Sequence, residues 1–354
     1  MRVPYIILIL ASLLLAGCWD ERLYKNSSVV SLTGFEGEMG DLTAYYAYPE
    51  ATTAEMKTVL ITGKGLTPRD VRMDAELKVE QTLDLSGLAT ILISEDTAKG
   101  KLYEYLDSFF RDANSPISSK VAIVQGELKP FLEISEQKQT TAGEYYDRLI
   151  TSLEENSIVI PYTLQTAGSI LFEDAQDLAL PYLKMNEEDR PAVDGIALFS
   201  GDSFTGKTLN TKEGVLLNIL NDSLGFATRI SYLYNNSPIT IRQINKSKRD
   251  IAVSKNKIEI NEKIEVAISE FPQDHLNDDH VRKELEKFLT EKLEKEMNEV
   301  MKKLQEAKCD ALGLGRNVRA FHPDLFKKDW SEHFSTLDIN IKVKVEIMKT
   351  GILK

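Results

Sequence analysis

The sequence predicts a multi-domain α+β fold in which antiparallel or mixed sheets are flanked by helices. Three features of the C-terminal half support this prediction. Short β-rich runs occupy 226–234, 239–244 and 251–269, an apolar stripe with helical period covers 279–308, and apolar and polar residues alternate over 337–347. Because strands precede and follow one long helix, we expect that helix to lie across one face of an antiparallel sheet.

The long helix has recognisable ends. Asp278 is the expected N-cap, and Gly313 follows the last turn. The residues expected to pack on the sheet recur every three or four positions and are Val281, Leu285, Phe288, Leu289, Leu293, Met297, Val300, Met301 and Leu304.

The N-terminal half contains shorter elements of both kinds. Strands are predicted at 28–35, 41–48, 75–83, 88–94, 121–125 and 193–199. Helices are predicted at 52–62, 97–112, 142–154 and 173–179. The polar run from Met185 to Pro191 predicts a boundary. The expected divisions are a signal peptide at 1–17, an α/β region at 18–190 with room for two subdomains, and an α+β domain at 191–354.

The first eighteen residues have the pattern of a bacterial lipoprotein signal. Arg2 precedes an uncharged apolar run over 5–15, which is shorter than the roughly 20 residues of a membrane span. The run Leu15-Ala16-Gly17-Cys18 resembles the lipobox, which implies cleavage between Gly17 and Cys18 and a diacylglyceryl group on the Cys18 thiol. Two acyl chains anchor a protein stably, so we expect Cys18 to attach the chain to a membrane. A plain secretory signal with a chance cysteine is the alternative.

Charge and cysteine content narrow the classes of partner. The formal net charge is −12, which disfavours nucleic acid and anionic headgroups, so the lipid must hold the protein by itself. Cys18 and Cys309 are the two cysteines of the chain. A lipid on Cys18 leaves Cys309 without a disulfide partner, and we expect it to be a small buried hydrophobe.

The run Gly201–Thr208 matches the phosphate-loop pattern G-x-x-x-x-G-K-T and follows a predicted strand. The Asp202 carboxylate would repel phosphate, and better helix N-caps follow at Asn210 or Thr211. We therefore interpret the run as a hairpin turn between a strand and the next segment.

No catalytic or metal-binding constellation stands out in the sequence. The densest group of metal-ligand residue types comprises Asp274, His275, Asp278, Asp279 and His280. Its histidines are five positions apart and do not share a helical face, and acidic residues at a helix start suit the helix dipole. His322 and His333 are expected in a packed C-terminal segment. The sequence thus predicts no catalytic constellation, no cofactor and no metal.

Four stretches resemble the C-subunit lipoproteins of spore germinant receptors, the Ger(x)C family. Gly17-Cys18-Trp19-Asp20 is similar to the family's mature start, although the following Glu21-Arg22-Leu23-Tyr24 departs from it. Residues 92–125 and 194–217 are similar to two further family segments. Asp310–Gly315, followed by Trp330 and an alternating strand up to Gly351, resembles the family's C-terminal signature.

This resemblance implies a non-enzymatic, lipid-anchored protein of three α/β subdomains on the outer face of the spore inner membrane. It implies assembly with a polytopic A subunit and a transporter-like B subunit, in a complex that starts germination in response to nutrients. Neither the nutrient nor its binding by this subunit follows from the resemblance.

Two other classes of protein fit the sequence less well. A solute-binding lipoprotein of a transporter also begins with a lipobox, but such proteins usually have parallel strands that alternate with helices. The antiparallel pattern expected over 226–269 and 337–347 disfavours this class. A lipid-anchored hydrolase is disfavoured because the sequence has neither a catalytic triad motif nor a metal motif.

Overall fold

The computed structural model describes residues 27–51, 56–112, 115–133, 141–243, 248–273 and 275–350. Within these residues the chain forms an eight-stranded sheet, a five-stranded sheet and a short two-stranded pair, with helices packed on the sheets. The predicted α+β class is confirmed. None of the helices in these ranges is both long and apolar enough to cross a membrane.

The eight-stranded sheet has a parallel centre and antiparallel edges. The strands up to residue 209 are β1 (Ser27–Val29), β2 (Leu32–Glu38), β3 (Asp41–Ala51), β4 (Met56–Gly65), β5 (Thr82–Asp84), β6 (Thr90–Ser94), β7 (Lys120–Val124), β8 (Ala179–Met185), β9 (Pro191–Ser200) and β10 (Ser203–Leu209). The sheet order is β10-β9-β8-β7-β6-β2-β3-β4, and β1 pairs separately with β5. From β2 to β8 neighbouring strands are parallel, and the innermost strands β6 and β7 are mostly apolar and buried because both of their faces are covered.

Helices cover both faces of this sheet. They are α1 (Pro68–Glu76), α2 (Glu95–Ala98), α3 (Leu102–Arg111), α4 (Lys129–Glu133), α5 (Ala142–Glu155), α6 (Leu164–Leu171) and α7 (Thr211–Leu220). The core that includes α1, α3 and α6 contains Ile91 and Ile93, whereas the core that includes α4, α5 and α7 contains Leu92. Alternate residues of a strand point to opposite faces, so β6 supplies both cores.

The five-stranded sheet is organised around one long central strand. Its elements and those that follow are β11 (Ile230–Tyr234), β12 (Ser237–Gln243), β13 (Lys248–Ser254), β14 (Lys257–Glu270), α8 (Asp279–Glu306), α9 (Leu314–Phe321), α10 (Trp330–Thr336) and β15 (Asp338–Lys349). β12 and β13 pair antiparallel with β14, as expected. β15, however, pairs parallel with β14, which corrects the predicted all-antiparallel arrangement. The crossover through α8 returns the chain to the starting end of β14 and so makes the pair parallel.

The long helix α8 joins the two halves of the protein. Asp278 caps its N-terminus by accepting a hydrogen bond from the His280 amide at 2.7 Å, as predicted. Its apolar stripe is buried in the core that also contains α5, α7 and the five-stranded sheet. The boundary placed near residue 190 stays a prediction, but β8 and β9 on its two sides are paired neighbours in one sheet.

Four side chains of α8 satisfy the backbone amides of β15. The amides of Ile341, Val343, Val345 and Ile347 donate to Asn298 (3.0 Å), Glu294 (2.9 Å), Thr290 (3.1 Å) and Glu286 (2.9 Å), respectively. Four residues of helix rise about 6 Å and two residues of strand about 6.6 Å, so the two repeats stay in register. The helix therefore covers a strand edge that would otherwise offer unpaired amides to another chain.

Three predicted elements of the N-terminal half are wrong. The helix expected at 52–62 is instead strand β4 over its described part, because residues 56–65 pair with β3 along their full length. The strand expected at 75–83 is reduced to its last two residues, which lie in β5, because α1 extends to Glu76 and a turn occupies 77–81. The helix expected at 173–179 lies earlier, at α6, where Thr163 and Thr166 form a capping box.

Replacing Glu294 by alanine tests the edge contact. We expect Glu294→Ala to lower the free energy of unfolding by about 1–3 kcal/mol, because the Val343 amide loses its partner. Urea unfolding measures this change. Glu291→Ala is the matched control, because Glu291 is exposed on the same helix and this substitution removes the same charge. Equal loss of stability in the two variants would contradict the role given to Glu294.

Candidate functional site: a buried carboxylate junction between the sheets

Two buried aspartates lie where three segments of the chain meet. Asp177 precedes β8 and is 3% exposed, and Asp310 follows α8 and is 0% exposed. The third segment is the turn between β9 and β10, which begins at Gly201. We call this group the carboxylate junction and define it as Asp177, Gly201, Asp310, Gly315 and Trp330.

Asp310 organises the chain that follows α8. Its carboxylate accepts hydrogen bonds from the Leu314 amide (3.0 Å), the Gly315 amide (2.7 Å) and the Trp330 indole N–H (2.8 Å). The two amides belong to the first turn of α9, where a negative charge suits the helix dipole. One side chain thereby fixes both the start of α9 and the position of α10.

Asp177 ties this C-terminal segment to the eight-stranded sheet. Its carboxylate accepts from the Asp310 amide at 2.8 Å and from the Gly201 amide at 2.7 Å. Its own amide donates to the Asp310 carbonyl oxygen at 3.1 Å, so the two residues bind each other through both backbone and side chain. Ser331 adds a longer contact at 3.4 Å.

Burial governs the electrostatics of the junction. Desolvation raises the pKa of Asp310 to about 6, although the Gly315, Leu314 and Trp330 hydrogen bonds act in the opposite direction. Desolvation likewise raises the pKa of Asp177. Both groups thus protonate more readily than a carboxylate in water.

Cys309 is buried next to this pair. It is 0% exposed, and its Sγ lies 3.5 Å from the Leu178 carbonyl oxygen. Burial raises the pKa of the Cys309 thiol well above its usual value, which disfavours the reactive thiolate. The prediction of a small buried hydrophobe at this position is confirmed.

Two glycines in the run Asp310–Gly315 are required by the geometry of the junction. A Cβ atom on Gly315 would lie 2.6 Å from the Trp330 Nε1 atom and 2.7 Å from the Ala175 carbonyl oxygen. Gly313 has a φ of +65°, in the left-handed region that glycine adopts most easily. The Asp-x-x-Gly-x-Gly run and the distant tryptophan therefore form one structural unit.

An open cleft of about 570 Å³ borders the junction. Asp177 and Trp330 contribute to its floor, and Tyr103 and Phe172 form part of its wall, with ring centroids 5.2 Å apart. The acidic side chains around the cleft are Glu173, Asp174, Asp202, Asp329 and Glu332. Asp310 does not line this cleft, and the carboxylate oxygens of both aspartates accept hydrogen bonds from protein N–H groups. The arrangement therefore positions backbone segments.

The other sequence candidates have separate positions. Gly17 and Cys18 lie outside the described residues, as does Asp274. The Gly201–Thr208 run is a turn followed by strand β10, which confirms the hairpin interpretation, and Asn210 caps α7 through a capping box with Glu213. In the described part of the chain, no three His, Cys, Asp or Glu residues are grouped as metal ligands. His333 packs edge-on against Trp330 with ring centroids 5.8 Å apart, and His322 is the C-cap of α9.

The role of Asp177 does not follow from the local sequence pattern. The run Glu173-Asp174-Ala175-Gln176-Asp177 has the composition of a solvated helix, and the pattern predicts a helix over 173–179. The apolar strand that begins directly after it was the available sign that Asp177 enters the core. The partner of a buried carboxylate that is 133 positions away cannot be identified from local pattern.

Replacing Gly315 by alanine tests the close packing. We expect Gly315→Ala to lower the free energy of unfolding by about 3 kcal/mol or more, because the new methyl group overlaps Trp330 and Ala175. Gly206→Ala is the matched control, because it lies outside the junction, its φ is +75° and nothing lies within 4 Å of the added Cβ. That control should cost about 1–2 kcal/mol. A smaller loss in Gly315→Ala than in the control would contradict the packing argument.

The pH dependence of stability tests the burial of Asp310. The folded-state pKa of about 6 lies above the usual 3.8, so the folded state binds more protons between these values and stability falls as pH rises through them. We expect the stability of the wild type relative to Asp310→Asn to fall by about 2–2.5 kcal/mol from about pH 4 to about pH 7. Urea unfolding across this range measures it. A constant difference between the two proteins would contradict the buried, shifted carboxyl group.

Comparison with known proteins places the chain in a family. The family described as "Spore germination protein N-terminal domain" matches residues 20–185, and that described as "Spore germination B3/ GerAC like, C-terminal" matches residues 194–351.

Full-length relatives and one solved structure agree with this assignment. Spore germination protein GerQC of Bacillus cereus is 22% identical and the alignment covers 98% of this chain and 99% of that protein. Spore germination protein A3 of Bacillus subtilis (strain 168) is 25% identical over 99% of this chain and 98% of its own length. The crystal structure of the GerBC protein matches 90% of this chain and 97% of its own with a TM-score of 0.58 at 19% identity, which supports the fold. The chain therefore belongs to the GerAC-like family of spore germination proteins, the Ger(x)C family that its motifs resemble.

Proposed function

We propose that this chain is a non-enzymatic, lipid-anchored subunit of a nutrient germinant receptor complex at the spore inner membrane, and that germination requires it. The observation that carries the proposal is the match of two spore germination family models, which together cover residues 20–185 and 194–351. Relatives named spore germination proteins align over nearly the whole chain, so the proposal concerns the complete protein and not one shared domain.

The proposed anchor is a diacylglyceryl group on Cys18, which follows the cleavage site after Gly17. Two acyl chains suffice for stable attachment without a spanning helix. The lipid places the folded part on the outer face of the membrane, because an exported lipoprotein is cleaved and anchored after it crosses.

A structural role fits the geometry of the carboxylate junction better than a catalytic one. Asp310 is fully buried and its three hydrogen-bond donors are all protein groups. Its carboxylate therefore meets no solvent-borne substrate, and it stabilises the attachment of α9 and α10 to the eight-stranded sheet.

The proposed partners are a polytopic A subunit and a transporter-like B subunit. We also propose that the regions 18–190 and 191–354 act as two units, which is supported by the two family models meeting between residues 185 and 194. The pairing of β8 with β9 and the carboxylate junction then hold these units in one fixed orientation, as a scaffold that contacts two other proteins requires.

Removing the anchor cysteine tests the proposed attachment. We expect Cys18→Ala to move the protein from the membrane fraction to the soluble fraction of spores and to reduce germination, with the fold retained. Cys309→Ala is the matched control, because it removes the other cysteine and keeps the anchor. A Cys18→Ala protein that stays fully with the membrane would refute the lipid anchor.

Affinity capture tests the proposed complex. Spore membranes are solubilised gently and the protein is captured by a C-terminal tag. We expect two polytopic proteins, the A and B subunits, to be recovered with it. Recovery of an ATP-binding-cassette permease instead would favour a solute-binding lipoprotein of a transporter and contradict the receptor proposal.

A further inference from the structure

Helix α1 presents apolar side chains on both of its faces. Val71 and Ala75 are buried against the eight-stranded sheet, which accounts for the inner face. On the outer side Met73 is 60% exposed and Leu77, one turn later, is 86% exposed, and Leu66 just before the helix is 62% exposed. Large apolar side chains clustered in this way on a small surface indicate a contact site.

This surface lies beside the point where the described chain begins. Ser27 pairs with Thr82 in the short sheet of β1 and β5, and Thr82 follows the end of α1 by only six residues. Ser27, Arg69 and Met73 also line the same cavity of about 630 Å³. The outer side of α1 and the start of β1 are therefore neighbours.

The distance from this point to the proposed lipid is limited by the chain. Cys18 precedes Ser27 by nine residues. Nine residues reach at most about 30 Å when fully extended. A lipid on Cys18 thus keeps Ser27, and the side of the molecule around it, close to the membrane surface.

The charges around the outer side of α1 are compatible with a lipid headgroup layer. Arg72 pairs with Glu76 at 3.1 Å and Lys78 pairs with Asp74 at 2.6 Å, so the flanking charges are balanced. Arg69 is exposed within the apolar group, where its stem can pack on lipid while its head reaches phosphate. This balance contrasts with the net charge of −12 of the whole chain.

We propose that the outer surface of α1, formed by Leu66, Arg69, Met73 and Leu77, rests on the lipid bilayer that holds the Cys18 lipid. The proposal rests on the proposed lipid anchor and adds an orientation to it. The lipid holds the protein at the membrane, and the α1 surface fixes which side faces the bilayer. Because the contact is mainly apolar, it depends weakly on salt.

Site-specific fluorescence tests this orientation. The full chain is lipidated in bacteria, purified and reconstituted on vesicles of equal parts phosphatidylcholine and phosphatidylglycerol. One variant, Leu77→Cys, and a matched control, Leu233→Cys, carry an environment-sensitive nitrobenzoxadiazole label. Leu233 is 71% exposed but lies on β11 in the other sheet. Cys309 is buried and a lipidated Cys18 has no free thiol, so labelling is specific.

The expected result is a blue shift and strong quenching by doxyl-labelled lipid at position 77, with neither at position 233. Vesicle flotation, read on the same samples, separates this proposal from the anchor. Flotation without quenching at position 77 overturns the proposed contact of the α1 surface with the bilayer, and it remains consistent with the lipid anchor. Quenching that is equal at both positions also overturns it. Failure of the protein to float with the vesicles refutes the lipid anchor and, because the proposed orientation rests on that anchor, refutes the orientation as well.

A membrane-protein partner is the competing occupant of the α1 surface. In that case the label at position 77 stays solvent-exposed on protein-free vesicles and becomes shielded only when polytopic partner proteins are added. This outcome would overturn the bilayer contact and assign the surface to the complex. Replacing Met73 by serine in the Leu77→Cys protein should reduce the lipid quenching if the bilayer is the occupant.

Discussion

The burial of two carboxylates is the constraint on which the arrangement of this protein depends. A carboxylate removed from water costs several kcal/mol unless hydrogen-bond donors replace the solvent. Here the donors come from separate segments: the Gly201 turn, the start of α9 and the Trp330 indole. The carboxylates are satisfied only when all three segments are in place, so the packing of the C-terminal segment against the eight-stranded sheet is specified as one unit.

Helix α8 extends this constraint to the five-stranded sheet. Its apolar stripe lies in the core shared with α5 and α7, and its polar row from Glu286 to Asn298 binds the amides of β15. Cys309 and Asp310 follow within four residues of the end of this helix. One helix therefore connects the strand edge of one sheet to the carboxylate junction beside the other.

Local pattern predicted the elements whose burial follows a simple period. The stripe of α8, the alternation of β15 and the Asp278 cap are examples, because one face meets the core and the other meets water. Pattern failed where distant pairing decided the outcome: residues 56–65 form a strand because β3 lies beside them, and β15 is parallel because of the α8 crossover. The family signature identified Asp310 and Trp330, but their contact and the role of Asp177 required the tertiary structure.

Hydrogen exchange at the carboxylate junction tests the central claim most directly. The amides of Gly201, Asp310, Leu314 and Gly315 are the ones bound to the two carboxylates. If the junction specifies the packing of the whole chain, these amides exchange only through global unfolding, at the rate of the slowest core amides. Exchange of these four amides by local opening, while the strands of both sheets stay protected, would contradict the account.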